Sequence, residues 1–215
     1  TSKISNNVTN GKKTLAVRFP KHQLTRRLLK KLNYPLAAPS ANISKRISPV
    51  CKDDVEDEFG KKLKFILDGG RSQIGLESTI ISLVDKPEIL RLGGFDKKKI
   101  KRHIDKKYYK KIGKNKILVP GQGKTHYSPG IPMRLNAINI RKNEAFLLIK
   151  KRKERNKNFF YLSKNKNIKE IAKNLYRTLR KVKKSGYKVL AIEKIPKKGI
   201  GETINDRLIR AAKKL

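Results

Sequence analysis

The chain has 215 residues, 56 Lys+Arg against 17 Asp+Glu and a formal net charge of +39, which leaves room for one large domain or two small ones with real cores. One Cys, three His and no Trp exclude a disulfide framework and a Cys-rich zinc site and fit a reducing compartment. No apolar run approaches the roughly 18–20 residues of a membrane span, and the start of the chain lacks the apolar stretch of a secretory signal, so a soluble cytoplasmic protein with no membrane partner is expected. The charge invites a nucleic-acid reading, yet Lys far outweighs Arg and falls between apolar positions of periodic segments, as it does on solvated faces.

Strand-like and helix-like segments alternate, which predicts α/β architecture. Leu15 to Arg18 reads as a short strand, Leu24 to Leu32 as a helix with one apolar face, and Leu36 to Ala38 as the next strand. Ser48-Pro49 reads as a helix start, a capping hydroxyl followed by Pro at the first helical position. Phe65 to Leu67 is a buried-strand candidate, Thr79 to Leu83 and Ile89 to Leu92 are two more strands, and a helix is expected around Ile100 to Ile104. A Gly/Pro-rich stretch from Pro120 to Gly130 follows, by composition a linker or a working loop. Beyond it, Ala145 to Ile149 and Phe159 to Leu162 look like strands. Asn167 and Glu170 have capping-box spacing at the head of a helix whose apolar residues keep 3.6-residue periodicity as far as Val182. Gly186 is placed to end it, Val189 to Ile192 is a strand, and Ile204 to Ala212 a final helix. This tail has the content of a small Rossmann-like module.

Four segments carry more small and polar residues than packing explains: Thr14 to Arg18, Ala37 to Asn42, Gly75 to Thr79 and Arg91 to Gly94. Ser48 adds a hydroxyl at an expected helix N-terminus, where an anion is favoured. Each also reads as ordinary structure: Ser40 and Asn42 as turn formers, Ser48 as a cap, Arg18 and Arg91 as surface residues. Together they point to a site for a phosphorylated ligand with a carboxylate partner. No Walker-type or Gly-x-Gly-x-x-Gly motif is present. The dispersed His and single Cys give no metal-ligand spacing, so no metal site and no catalytic nucleophile is assigned. Cys51 reads as a small helix-face residue, His22 and His103 as surface residues. His126, in the Gly/Pro stretch beside Tyr127, reads equally as a loop anchor and as a residue near ligand.

The segments TLAVRFP (14–20), PLAAPSAN (35–42), Ser48-Pro49, LDGG (67–70), GLESTI (75–80) and LRLG (90–93) occur in the order found in the YrdC-like domain. His126-Tyr127-Ser128-Pro129 resembles that family's His-Tyr-Ala-Pro signature, and GIGETINDRLIRAA (199–212) resembles the closing motif of its two-domain members. The chain is thereby identified as similar to the L-threonylcarbamoyladenylate synthases, over nearly its whole length. The resemblance implies the C-terminal part of a YrdC-like twisted-sheet α/β domain over residues 1–112, a linker or lid over 113–135, and a Rossmann-like accessory domain over 136–215.

It further implies a nucleotidyltransferase reaction. L-threonine, bicarbonate and ATP, the last with Mg2+, give threonylcarbamoyl-AMP and pyrophosphate, and a tRNA-modifying transferase takes the product. Carried over, Arg18 holds the threonine carboxylate, with Ala38 and Ser78 lining that pocket. Thr14, Ser40, Ser48, Arg91 and Tyr127 contact ATP, and Asn42 and His126 belong to the same motifs. Lys45, Ile47 and Leu92 depart from the family pattern without touching the contacting residues. The family's Pro-Thr-Glu-Thr-Val-Tyr-Gly-like turn and Lys-x-Arg motif are missing, so the chain is expected to be an N-terminally truncated fragment with little or no synthase activity by itself. The alternative from another class is a basic RNA-binding YrdC-like module, including double-stranded RNA binding, without synthase activity. It has charge for support, but no interleaved aromatics that stack bases.

Overall fold

The computed structural model describes residues 4–9, 11–84, 86–103, 119, 121, 123 and 125–212. Its elements run α1 (Asn6–Thr9), α2 (Gln23–Lys30), α3 (Lys52–Phe59), β1 (Ile80–Ser82), β2 (Glu88–Arg91), α4 (Lys97–His103), β3 (Met133–Arg134), β4 (Glu144–Leu148), β5 (Phe159–Tyr161), α5 (Ile168–Lys184), β6 (Val189–Ile192) and α6 (Ile200–Ala212). Ile104, the end of one expected helix, and part of the expected linker (113–118, 120, 122, 124) lie outside the described residues.

Four strands form a parallel sheet in the order β3-β6-β4-β5. Buried parallel strands read as unbroken apolar runs, and β4 is buried along its whole length. Alternation sends Ala145, Leu147 and Ile149 toward α5 and α6, while Phe146 and Leu148 point to the opposite face. Arg152 covers part of that second face, its guanidinium 5.4 Å from the Phe146 ring centre and 5.7 Å from that of Phe159. The buried end of β4 carries Glu144, held by Arg134 at 2.6 Å. β3 was not foreseen, since two residues are too few to show a period.

α5 follows its sequence signals. The Asn167 side chain accepts hydrogen bonds from the backbone N–H groups of Lys169 and Glu170, and Gly186 takes φ +80° just past the Ser185 cap. The reciprocal half of the capping box is absent, because Glu170 instead accepts from the Ser163 hydroxyl at 2.5 Å. Ile171, Ala172, Leu175, Tyr176, Leu179 and Val182 form the buried stripe.

The first half of the chain departs further from expectation. β1 and β2 pair as an antiparallel hairpin, and α2 forms, with His22 as an exposed N-cap. Leu15 to Arg18, Leu36 to Ala38 and Phe65 to Leu67, expected as strands, lie outside every strand ladder. A ladder needs a neighbour to exchange hydrogen bonds, and none of the described residues pairs with these segments in one. Val17 and Phe19 are accordingly 81% and 93% exposed, and Phe65 91%. Ser48-Pro49 does not start a helix either. α3 begins at Lys52 with Cys51 as its N-cap, and Asp54 accepts from the Val50 N–H at 2.8 Å. Cys51 is thus a cap, not a helix-face residue.

Charge sorts the two halves against one another. α3 gathers Asp53, Asp54, Glu56, Asp57 and Glu58 in a strongly basic chain. α5 answers with Arg180, which bonds Glu58 at 3.0 Å and the Ile47 carbonyl at 2.7 Å, and with Lys184, which pairs with Asp57. Gly75, at φ +75°, lies so close to α5 that a Cβ would stand 2.6 Å from the Lys173 backbone; glycine alone permits both the conformation and the approach.

Candidate active site at the junction of the two halves

A cavity of about 520 Å3 opens where the hairpin, the Ser40 to Val50 segment and the Gly121 to Tyr127 stretch meet α5. Its lining includes Arg18, Ser40, Ser48, Ser78, Arg91, His126 and Tyr127, so residues far apart in sequence converge there. Thr14, Ala38 and Asn42 are not in the lining. Thr14 and Ala38 are exposed, outside any helix or strand. The Asn42 amide donates to the carbonyls of Ile43 (2.9 Å) and Arg46 (3.0 Å), which fixes the turn.

Arg18 makes no hydrogen bond or ion pair among the described residues and lines the cavity. Arg91 is anchored, donating through Nε (3.2 Å) and Nη2 (3.0 Å) to the Ser78 carbonyl. Burial, with Arg207 and Arg18 nearby, draws its pKa down, yet a guanidinium stays charged at any physiological pH.

The centre of the wall is Glu77, which the sequence reading quoted without giving it a role. Its carboxylate accepts from the Ser48 hydroxyl at 2.7 Å, from the Tyr176 hydroxyl at 3.0 and 3.1 Å, and from Arg207 Nε at 2.8 Å. Burial pushes the Glu77 pKa up, but the Arg207 charge and the hydrogen bonds outweigh it and hold the pKa below the ordinary value. Burial likewise drives the Tyr176 hydroxyl well up, with the neighbouring Glu77 charge acting in the same direction. With its one proton on Glu77, Ser48 presents lone pairs to the cavity. It therefore suits a ligand hydroxyl or amine better than a phosphate oxygen.

Tyr127 takes φ +64°, a conformation uncommon outside glycine, and is 1% exposed. Its ring lies beneath the Arg207 guanidinium at 4.7 Å and stacks on Tyr176 at 6.1 Å. The hydroxyl is buried with no hydrogen-bond partner among the described residues, a state that costs free energy unless a ligand satisfies it. His126 accepts from the Tyr127 N–H at 2.9 Å, so it anchors the loop while lining the cavity. Burial and the surrounding arginines lower its pKa.

Tyr176 and Arg207 sit on the apolar stripes of their helices, where a polar group needs a partner, but no sequence signal names Glu77 as that partner. Among the described residues no cluster of three or more His, Cys, Asp or Glu could hold a metal ion. Among the described residues Glu77 is the lone carboxylate in the lining, and its oxygens are already engaged. The described lining is therefore no cage for a resident Mg2+. No helix of the described residues is long and apolar enough to cross a membrane.

A family described as Telomere recombination, covering Sua5, YciO and YrdC, matches residues 1–93. A second, described as Threonylcarbamoyl-AMP synthase, C-terminal domain, matches residues 92–213, more than half of the chain. The chain belongs to the threonylcarbamoyl-AMP synthase family. Curated relatives of that name include a Pyrococcus abyssi protein, 33% identical over 95% of this chain and 66% of its own length. A Bacillus subtilis protein is 30% identical over 97% and 66%, and a Schizosaccharomyces pombe protein 31% identical over 97% and 60%. The chain thus spans a little under two thirds of the relatives it matches. Among solved structures, P. abyssi Sua5 complexed with L-threonine superposes with a TM-score of 0.84 at 29% identity, covering 99% of this chain and 68% of that one. A double His-to-Ala, Tyr-to-Ala variant of P. abyssi Sua5 gives 0.81 at 27%, covering 97% and 66%. The mixed α/β fold with a YrdC-like part and a C-terminal domain is that of the family, and the synthases, not an RNA-binding module, are the proteins it resembles.

Proposed function

We propose that the protein makes threonylcarbamoyl-AMP from L-threonine, bicarbonate and ATP, releasing pyrophosphate, in the cytoplasm, for a transferase that modifies tRNA. The observation that carries the proposal is the single cavity that gathers Arg18, Ser40, Ser48, Ser78, Arg91 and Tyr127 in a chain of this family. The neutral threonine amine and bicarbonate give a carbamate and water, the amine proton leaving with the bicarbonate hydroxyl, and a carbamate oxygen attacks the α-phosphorus of ATP as the bond to pyrophosphate breaks. Charge builds on phosphoryl oxygens, so preorganised cations and donors matter more than a protein nucleophile.

In this reading Arg18 grips the threonine carboxylate, beside Ala38 and Ser78. Thr14, Ser40, Ser48 and Arg91 contact ATP, with Asn42 shaping their turn. Tyr127, beside His126, closes over the nucleotide from a linker spanning 113–135, between a catalytic part (1–112) and an accessory domain (136–215). The Tyr127 hydroxyl finds in the nucleotide the partner it otherwise lacks, and closure keeps water from a labile carbamate. Arg18→Ala is expected to weaken threonine binding about ten-fold or more, the value of a charge-assisted bidentate pair, with ATP binding little changed. Calorimetry with each substrate checks this, and equal threonine affinity in both proteins removes Arg18 from the role.

A further inference from the structure

We propose that Arg207, on α6, is a positioning residue for this site: it cancels the charge of Glu77, so that a cavity walled by a carboxylate accepts anionic substrates, and it thereby makes the accessory domain part of the active site. The inference rests on the ATP and threonine reading above. Arg207 is 1% exposed and is not in the cavity lining. Its donors go to Glu77, to the Leu92 carbonyl at 2.6 Å and to Asp206, leaving the guanidinium to act through Glu77. Thr203 adds a hydrogen bond to the Gly93 carbonyl at 3.0 Å, and Arg210 donates to the Gly123 carbonyl at 2.7 Å. One helix therefore grips the strand end behind Glu77 and the stretch that carries Tyr127.

The electrostatic argument is short. ATP and bicarbonate are anions and threonine brings a carboxylate, and an uncompensated carboxylate in the wall opposes each of these groups. The groups that face Glu77 are Ser48, Tyr176 from α5, Arg207 with Asp206 from α6, Arg91 from β2, and His126 and Tyr127 from the linker. Of these, Arg207 alone forms an ion pair with Glu77 among the described residues. Without it, burial, the largest influence on Glu77, is opposed by only the Ser48 and backbone hydrogen bonds, so the Glu77 pKa moves up.

The test is calorimetric titration with Mg·ATP, from about pH 5 to pH 8, on the parent, Arg207→Met, Arg207→Lys and the double variant Glu77→Gln/Arg207→Met. Arg207→Met is expected to bind ATP about ten-fold more weakly than the parent at the alkaline end, the effect of one charge acting over roughly 10 Å, and to regain affinity as the pH falls. Arg207→Lys retains most of the affinity. The double variant binds like the parent with no added pH step, and it is expected to fold because both charges of the buried pair are gone. The titration of ATP is common to all four proteins and cancels in the comparison, whereas Glu77 and Arg207 both act on His126, so the four proteins are also compared with His126→Gln added to each, where no imidazole titrates. A purely packing role for Arg207 gives no new pH step and leaves the double variant as weak as Arg207→Met, and either result overturns the proposal. Should Arg207→Met not fold, a folded double variant that binds more than about ten-fold more weakly than the parent overturns it as well. A parent that binds no ATP removes the nucleotide reading and the proposal with it, a result distinct from unaltered binding in the variants.

Discussion

Glu77→Ala is expected to cost about 3–5 kcal/mol of stability, the usual penalty for stranding one partner of a buried ion pair. Arg207 would keep its charge at 1% exposure while Ser48 and Tyr176 lost their acceptor. Denaturant unfolding reads the loss as a lower midpoint, and an unchanged midpoint would mean that the pair is not the junction of the two halves. Glu77→Gln retains the shape and one acceptor oxygen, so its cost is smaller. The pH dependence has a definite sign. Glu77 has a folded pKa below its ordinary value, so its stabilisation is fully present above the ordinary carboxylate range. It is lost as the pH falls through the folded pKa. Acid unfolding of the parent therefore includes a component that Glu77→Gln lacks.

Gly93→Ala has the second large effect. A Cβ there would stand 2.1 Å from the Thr79 nitrogen, 2.2 Å from the Ser78 carbonyl carbon and 2.5 Å from the Glu77 carbonyl oxygen. All three are backbone atoms of the segment that presents Glu77 and Ser78 to the cavity, so no side-chain rotation relieves the collision. A loss of about 3 kcal/mol or more is expected, at the upper end for single substitutions, together with lost ligand binding. Thermal unfolding followed alongside threonine calorimetry checks it; wild-type values in both would show that the hairpin and this segment are not in contact.

The parts legible in the sequence are those whose physics is local. The α5 stripe, its Asn167 cap and its Gly186 stop are written in consecutive residues, and the run of β4 is apolar because both faces of a central parallel strand are covered. Ser48-Pro49 misled because the local pattern of a helix start was satisfied while the hydroxyl answered to Glu77, 29 positions away in the chain. Leu15 to Arg18 and Phe65 to Leu67 have strand composition, but a strand is completed by its neighbour. The site was legible as a set of segments, since Arg18, Ser40, Ser48, Ser78 and Arg91 do share one cavity. Its electrostatic centre was not, because Glu77 and Arg207 are 130 positions apart and each looked like one more charge in a chain that carries +39. That net charge is also a poor guide to the cavity, whose described lining carries two arginines and one glutamate, with Arg207 paired to that glutamate from behind.

The central claim is tested most directly by pyrophosphate release from ATP, followed for the protein as its gene encodes it, with L-threonine and bicarbonate supplied together and singly. Release that requires both substrates, and that falls sharply in Arg18→Ala, is the predicted result. Release indifferent to threonine, or none with all three substrates present, would contradict the assignment of this cavity to threonylcarbamoyl-AMP synthesis.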